Sequence, residues 1–421
     1  MEPIATGAES ASVSSLLKWR LSTMMFLQYA SLGLWAVTLG TYIATNTGES
    51  GLKIFASGFI GVTLSTHAFG ALIAPLLMGI VADRHMATDR LLTLLHAVSA
   101  ACLVVMAGSR DQWLFFLATF VYFQAYAPTG ALTSSLALRH LGDGQRDFPF
   151  VRAMGTAGWI AAGLVVGFAW RRVTGQSIEA TATPMLLGAG CHAVTAVYCL
   201  SLPATPPLGR MTGGLRALAG GGDLWRNRSF VVLIVLSALV MAPAQFYNGF
   251  VNPFLNFSGF DDAAGKLTLG QATEVAIMIA LPWLLVRFGI KALFIGGAAA
   301  WAIRFAMFAA AGEAATAWLA YPAILLHGAS FVFIYMTGQL YIDRLADRDA
   351  RAAAQGIHTV SIFGFGNLIG ALAARAAEVR YLTPEGIDPP PYDWPAFWMV
   401  AAAMSAAGAV LFALLFHEQR R

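Results

Sequence analysis

The clearest candidate for chemistry is a carboxyl group inside an apolar segment. Of the 22 Asp and Glu residues, Glu274 is the one that lies well inside such a segment, seven residues past its start and about 10 Å deep. An ionised carboxylate in hydrocarbon is costly, and binding a proton removes that cost. We therefore expect Glu274 to load and release a proton as its exposure alternates. The alternative is a permanent contact with Arg152, Arg304 or a helix end.

Amide side chains accompany this carboxyl group on two segments. Gln271 lies three residues before Glu274 and shares its helix face, and Gln245 and Asn248 repeat this spacing at a similar depth on the preceding segment. Because amides both donate and accept hydrogen bonds, the set suits a neutral ligand with many hydroxyl groups. The alternative is that the amides join neighbouring helices, as Gln and Asn often do in lipid.

A second candidate face lies in the first half of the chain. Pro149 suits a first helical turn, after which Arg152, Thr156 and Trp159 follow at intervals of four and three residues. This face offers a cation, a hydroxyl group and an indole that could stack on a flat ring. The alternative is that the Arg152 side chain extends to the membrane interface.

Other polar and aromatic residues inside apolar segments are harder to assign. Arg304 lies about 13 residues beyond Lys291, too deep to reach water easily. It needs a partner, for which we expect Glu274 or a helix C-terminus. His67 and His327 are expected to be neutral and hydrogen-bonded. The aromatic candidates Tyr29, Trp35, Tyr122, Tyr126, Phe331 and Tyr335, taken singly, are more typical of packing or interface anchors.

The elements that carry these residues are membrane-spanning helices. The 421-residue chain is 58% hydrophobic and only 11% charged, whereas soluble domains carry about 25% charged residues. Twelve apolar runs are each long enough to cross a bilayer, and we therefore predict an all-α membrane protein. The runs are 21–43, 56–81, 91–109, 112–138, 151–170, 182–202, 229–255, 267–286, 291–311, 314–341, 352–374 and 394–416.

The distribution of basic residues predicts the orientation and two halves. With the N-terminus inside, seventeen Lys and Arg residues fall in cytoplasmic segments and seven in outer loops, which places both termini in the cytoplasm. The segment 203–228, rich in Pro and Gly, separates six spans from six and predicts a cytoplasmic linker. The predicted halves are therefore residues 1–202 and 229–421, and this layout is that of major facilitator transporters.

Several short motifs strengthen that resemblance. The segment from Gly79 to Arg84 resembles the loop motif of the major facilitator superfamily. Taken together, the motifs resemble the nucleoside:proton symporter family of that superfamily, as found in bacterial inner membranes. They include Phe26-Leu27-Gln28 with Trp35, Ala125-Tyr126 with Pro128-Thr129, Asp147-Phe148-Pro149 through Gly158, Gln271 to Glu274, Arg287 to Lys291, Trp301 with Arg304-Phe305, and Ala354-Gln355-Gly356.

The resemblance implies uptake of ribonucleosides and deoxyribonucleosides driven by an inward proton gradient. The positions that match the family's ligand contacts are Arg152, Thr156, Gln245, Asn248, Gln271, Glu274 and the aromatic Phe331. Three positions depart from the family pattern. Val332 stands where the best-known members carry Asp, His327 replaces a Tyr, and Trp159 replaces a smaller Phe. These differences bear on base preference and on proton stoichiometry.

We therefore expect a monomeric twelve-helix symporter, embedded in the lipid bilayer, that binds a nucleoside and a proton between its halves. Glu274 is the expected coupling group, and Trp159 or Phe331 the expected stacking partner of the base. No cofactor, metal or nucleic acid is expected. A sugar or glycoside:proton symporter is the main alternative, because a polyhydroxylated ligand makes similar demands on the amides. A nucleoside-sensing receptor is a further alternative. An enzyme is least expected, because no phosphate-binding Gly loop, metal-spaced cluster or nucleophile elbow occurs.

Overall fold

The computed structural model describes residues 15–142, 144–207, 209, 224–346, 350–383 and 392–418. Within this part of the chain the secondary structure is helical, apart from two isolated β-bridges. Twelve helical spans are present, as the sequence predicts, and they are numbered here in chain order. Among the described residues, eight helical segments, each counted across its internal bends, are long and apolar enough to cross a membrane, and one of these comprises spans 8 and 9. Spans 1 and 4 are interrupted, and span 6 is shorter.

The first six spans begin near the N-terminus and end before the predicted linker. They are Ser15–Gly33 with Leu39–Thr45, Phe59–Arg84, Thr88–Gly108, Gln112–Tyr126 with Thr129–His140, Gly144–Leu164 continuing through Val165–Ala169 to Trp170–Thr174, and Thr183–Cys199. Most of the predicted linker, residues 203–228, lies outside the described residues, namely at 208 and 210–223.

The last six spans follow the same arrangement. They are Arg228–Met241 with Ala244–Phe257, Ala263–Ala310 as spans 8 and 9, Ala314–Leu319 continuing through Ala320–Leu325 to His327–Leu345, Arg351–Thr359 continuing through Val360–Gly366 to Asn367–Arg380, and Trp394–Leu415. Gly289 separates spans 8 and 9 with a φ of 77°, a left-handed conformation that glycine adopts without steric cost.

Two of the interruptions within spans, in spans 4 and 7, occur where a proline removes a backbone donor. Pro128 precedes the second segment of span 4, and Pro243 precedes the second segment of span 7. Proline has no N–H group and clashes with the preceding turn, so each helix bends there. Span 5 differs from the expectation: its helix begins at Gly144, so Pro149 lies inside it rather than in its first turn. Arg152, Thr156 and Trp159 still share one face.

The two sets of six spans pack against each other mainly on one side of the membrane. An even number of spans places Ser15 and Leu415 on the same side, here called the terminal side. The described hydrogen bonds and ion pairs that join the first six spans to the last six cluster towards the opposite side. One contact there needs glycine: a Cβ on Gly40 of span 1 would lie 1.9 Å from the carbonyl oxygen of Gly249 in span 7. The halves therefore meet closely on the side opposite the termini.

Candidate functional site

Glu274 lies in span 8 with its side chain 20% exposed. The nearest cationic or titratable nitrogen is Nε2 of His327, 3.7 Å from Oε2 of Glu274, which is too long for a hydrogen bond. Among the described residues, no Arg or Lys nitrogen forms an ion pair with this carboxyl group. The described hydrogen bonds and ion pairs of Glu274 therefore include none of the permanent contacts considered from the sequence, with Arg152, Arg304 or a helix end.

A glycine brings His327 beside Glu274. The backbone of span 10 contacts span 8 so closely that a Cβ on Gly328 would lie 2.5 Å from the carbonyl carbon of Thr273. The backbone N–H of Gly328 donates to Oγ1 of Thr273 at 3.2 Å. His327, the preceding residue, consequently lies against span 8. A larger residue than glycine at position 328 would separate the two spans.

Arg304 in span 9 contacts His327 from the other side. Its side chain is fully buried, and Nη1 donates to Nδ1 of His327 at 3.1 Å. The guanidinium also lies 4.0 Å from the ring centroid of Tyr247 and 4.8 Å from that of Trp301, and these contacts favour a buried cation. The expected partner of Arg304 was Glu274 or a helix C-terminus. That expectation is wrong, because His327 lies between Arg304 and Glu274.

This order of contacts determines the tautomer of His327. A guanidinium can only donate, so Nδ1 of His327 accepts from Arg304 and its single ring hydrogen is on Nε2. Nε2 is the atom that faces Glu274. The neutral, hydrogen-bonded state expected for His327 agrees with this geometry. A small movement would allow its N–H to donate to the Glu274 carboxylate.

Aromatic rings extend from this cluster along span 10. The rings of His327 and Phe331 are nearly parallel, with an angle of 9° and centroids 6.2 Å apart, and Phe331 contacts Tyr335 at 5.4 Å. The three residues are spaced by four and so share one helix face. His327 also stacks on Tyr247 of span 7 at 5.2 Å. Phe331, which is half-buried, therefore continues a row of rings that begins beside Glu274.

The structure separates the two amides of span 7. Gln245 is 1% exposed and packs against Gly370 of span 11, and its Nε2 has no hydrogen-bond partner among the described residues. Asn248 is the one exposed residue of Ala244–Phe257. Spans of both halves pack on this segment. Gln271 is half-buried on the same helix face as Glu274.

Arg152 approaches the site from span 5. Its guanidinium lies 4.5 Å from the ring centroid of Tyr29 and close enough to act electrostatically on both Glu274 and Tyr335. Its described ring contact, with Tyr29 of span 1, lies within the first six spans. Thr156 and Trp159 are half-buried on the same face, and Gly33 of span 1 packs against the backbone of Trp159.

Sequence reasoning overlooked two buried carboxyl groups because they lie in a loop and at a span end. Glu179 and Glu378 are each 1% exposed. The nitrogen donors described for them are 73 to 85 residues away from Glu179 and 317 to 318 residues away from Glu378. No local pattern could have identified such distant partners. The inter-helix hydrogen bond between Asn367 Nδ2 and His67 Nδ1, at 3.2 Å, is long-range in the same way.

Comparisons with known proteins agree with this architecture. Residues 16–421 match the family model described as Nucleoside H+ symporter. The chain is 29% identical to the xanthosine permease of Escherichia coli, over 93% of this chain and 94% of that protein. It is 28% identical to the nucleoside permease NupG of the same organism, over 95% and 96% of the two chains.

Solved structures give the same result. The crystal structure of the nucleoside transporter NupG carrying the substitution D323A superposes with a TM-score of 0.85 at 27% identity, covering 95% of this chain and all of that one. A D-xylose–proton symporter superposes with a TM-score of 0.72 at 12% identity, over 96% and 98% of the two chains, which supports the fold alone. From the family match over nearly its whole length, this chain belongs to the nucleoside H+ symporter family.

Proposed function

We propose that this protein takes up nucleosides together with protons, and that Glu274 carries the coupled proton. The observation that carries this proposal is the position of Glu274, a carboxyl group inside a membrane span without a described cationic partner. Its side chain is partly exposed, so proton and cargo can both reach it. A charged carboxylate opposes movement through a dehydrated state, whereas the protonated form does not. Symport follows if the halves rearrange with protonated Glu274 and cargo both bound, and return with both released while the His327 N–H offsets the carboxylate charge, but do not rearrange with cargo beside an ionised Glu274.

His327 and Arg304 link the proton to the cargo in this scheme. Arg304 keeps the ring hydrogen of His327 on Nε2, facing Glu274. When Glu274 is ionised, that N–H is attracted to the carboxylate. When Glu274 is protonated, the same N–H is free to donate to an oxygen or nitrogen of the cargo. Proton binding on Glu274 would thereby strengthen cargo binding, and by linkage cargo would strengthen proton binding.

The cargo site lies between the halves. Phe331 and Trp159 provide rings that can stack on a nucleobase. Asn248, Gln271 and Glu274 line one half, and Arg152 and Thr156 face them from the other, so hydroxyl groups and base edges can be hydrogen-bonded from both sides. Gln245 contributes through its amide, whose Nε2 has no other described partner. This arrangement suits a neutral molecule that combines a flat ring with several hydroxyl groups.

We further propose a location and an assembly. The protein functions as a monomer in the bacterial inner membrane, with both termini in the cytoplasm. Residues 1–202 and 229–421 act as the two moving halves, and 203–228 connects them. In this structure the halves are in close contact on the side opposite the termini, so the site is reached from the cytoplasm. The protein moves its cargo without altering it chemically and is not an enzyme.

Uptake into proteoliposomes tests the proposal. With an inward proton gradient, the purified protein should concentrate labelled uridine or adenosine, and dissipating the gradient should reduce accumulation to equilibration. Glu274→Gln should abolish concentration, whereas Glu313→Gln, an exposed carboxyl group, should not alter it. Accumulation by Glu274→Gln equal to that of the unmodified protein would contradict the coupling role.

A competition measurement separates a nucleoside from a sugar as cargo. If stacking on Phe331 or Trp159 provides much of the binding free energy, excess free ribose should not displace labelled uridine. Displacement by ribose at the same concentration as by unlabelled uridine would favour a sugar or glycoside symporter.

A further inference from the structure

A buried carboxylate of the first half binds the second half on the side opposite the termini. Glu179 lies in the loop between spans 5 and 6. Its Oε2 accepts hydrogen bonds from the Nδ2 atoms of Asn252 at 2.6 Å and Asn256 at 3.0 Å, both in span 7. Its Oε1 accepts from the backbone N–H of Ala264 at 3.0 Å, in the first turn of span 8. One side chain thus connects its own half to two spans of the other.

A buried carboxylate of the second half makes the reciprocal contact. Glu378 lies near the end of span 11. Its Oε1 accepts from the backbone N–H of Ile60 at 3.3 Å, and its Oε2 from that of Gly61 at 2.9 Å. Both donors belong to the first turn of span 2, in the first half. The hydroxyl group of Tyr392 lies within hydrogen-bonding reach of the same carboxyl group.

These two contacts correspond to each other in detail. Glu179 follows span 5, and Glu378 lies in span 11, six spans later. The helices that donate to them, span 8 and span 2, are also six spans apart. In each case the second residue of the helix donates its N–H to the carboxylate, and the third is a glycine. Gly61 packs against Arg375 of span 11, and Gly265 packs against Gly167 of span 5. The residue before each helix, Gly58 or Asp262, has a positive φ. The same contact between a carboxylate and a helix start therefore occurs twice, once with the carboxylate on the first half and once with it on the second.

The described groups around each carboxylate are hydrogen-bond donors, so the carboxylate oxygens act as acceptors. Each described contact of the Glu179 oxygens is with an N–H group, and both Glu378 oxygens face backbone N–H groups. The first turn of a helix has N–H groups without intrahelical partners and carries partial positive charge, so an anion there is favourable. An amide in place of either carboxylate would place an NH₂ donor against these N–H donors.

We propose that Glu179 and Glu378 are positioning residues for transport: together they hold the two halves closed on the side opposite the termini, and both contacts break when that side opens. This inference rests on the alternating-access transport proposed above. Neither residue contacts the cargo site, so both act on the balance between the two conformations. Weakening either contact should shift the protein towards the conformation that is open on the side opposite the termini.

Distance measurements between spin labels test this inference without any cargo. The labels are placed on Leu52→Cys and Trp318→Cys, which are exposed on the two halves on the side opposite the termini. The three native cysteines, Cys102, Cys191 and Cys199, are replaced by Ala. Glu179→Gln and Glu378→Gln should each raise the ratio of the long-distance to the short-distance population by roughly tenfold, since each removes charge-assisted hydrogen bonds. The double variant should raise it further.

Two further variants keep the test decisive. Glu313→Gln replaces an exposed carboxyl group on the same side that makes no cap hydrogen bond, and it should leave the distances unchanged. Asn256→Ala removes one donor from Glu179 without altering the carboxylate, and it should give a smaller shift in the same direction even if Glu179→Gln folds poorly. Folded Gln variants with the distance distribution of the Glu313→Gln protein would overturn the proposal. A shift in distance without any nucleoside uptake by the parent protein would instead refute the proposed function alone.

Discussion

Buried carboxyl groups occur in two regions of this molecule with opposite surroundings. Glu274, between the halves, is partly exposed, and its nearest titratable neighbour is His327 at 3.7 Å. Glu179 and Glu378, on the side opposite the termini, are 1% exposed and accept hydrogen bonds from the other half. A carboxylate whose oxygens already accept several hydrogen bonds is held in place by its donors. Burial alone therefore does not identify a coupling group, whereas the lack of described hydrogen bonds at Glu274 distinguishes it from the other two.

The comparison extends to the neighbours of each group. The donors to Glu179 and Glu378 are mainly backbone N–H groups at helix starts and side-chain amides, which are fixed by the fold. The neighbour of Glu274 is an imidazole, positioned in turn by Arg304. Imidazole and carboxyl groups both exchange protons readily, whereas backbone amides do not. The central region is therefore suited to chemistry and the other region to mechanical connection.

The largest expected effect separates the regions by activity. Glu274→Gln should abolish proton-driven accumulation and leave nucleoside at equilibration across the membrane, because the amide cannot carry a proton. Its thermal unfolding should change little, since the carboxyl group makes no hydrogen bond that the amide would lose. Uptake in proteoliposomes and thermal unfolding of the purified protein measure both quantities. A large drop in thermal stability would indicate that Glu274 is structural, like Glu179.

The second effect separates the regions by stability. Glu179→Ala should lower the free energy of unfolding by about 1–3 kcal/mol, because its buried donors lose their acceptor. Glu274→Ala should lower it by less than about 1 kcal/mol. Thermal unfolding in one detergent, with Glu313→Ala as an exposed control, gives the comparison. Equal losses of unfolding free energy for the two variants at positions 179 and 274 would contradict the difference between a structural and a coupling carboxyl group.

A third, smaller effect concerns the row of rings beside Glu274. Phe331→Ala should weaken nucleoside binding about tenfold, since base–aromatic stacking contributes about 1–3 kcal/mol per base. Phe333, two residues along the same helix, faces the opposite side and packs against Gly297. Phe333→Ala is therefore the matched control. Isothermal titration with uridine would compare the two, and equal affinities would argue against stacking on Phe331.

The smallest expected effect concerns an exposed ion pair beside the Glu179 contact. Arg171 Nη1 lies 2.5 Å from Oδ1 of Asp261, and this hydrogen bond holds the pKa of the Asp261 carboxyl group below its ordinary value. The ion pair is therefore fully formed at pH values above the ordinary pKa of Asp. It is lost only when the pH falls through the lowered pKa of Asp261. Arg171→Gln should change the spin-label populations no more than about twofold, because exposed ion pairs contribute little. Titrating the parent protein from pH 8 to pH 6 should not affect this contact.

Much of the fold could be predicted from the sequence, because hydrophobic runs of bilayer length are a local property. All twelve spans occur where the pattern indicates them, with ends that differ by several residues. The site was harder to predict. Glu274 was recognisable because its own neighbours are apolar. The contact between Arg304 and His327 depends on the close approach of span 10 to span 8 at Gly328, which no spacing along the chain indicates.

The two connecting carboxylates show the same limit more strongly. Glu179 and Glu378 lie at positions where acidic residues are common, a loop and the end of a span. Their burial arises only when helix starts from the other half come to rest on them. The correspondence between spans 2 and 8 is only partly visible in residue identity: Gly61 and Gly265 match, whereas the donors Ile60 and Ala264 differ and act through the backbone. Backbone donors leave no trace in the choice of side chain.

Proton movement during nucleoside transport is the direct readout of the role proposed for Glu274. In liposomes that contain a pH-sensitive dye and have no initial gradient, adding uridine outside should acidify the interior when the parent protein is present. Glu274→Gln should still exchange labelled uridine for unlabelled uridine across the membrane, without any acidification. Acidification by Glu274→Gln at the rate of the parent protein would contradict the assignment of the coupled proton to Glu274.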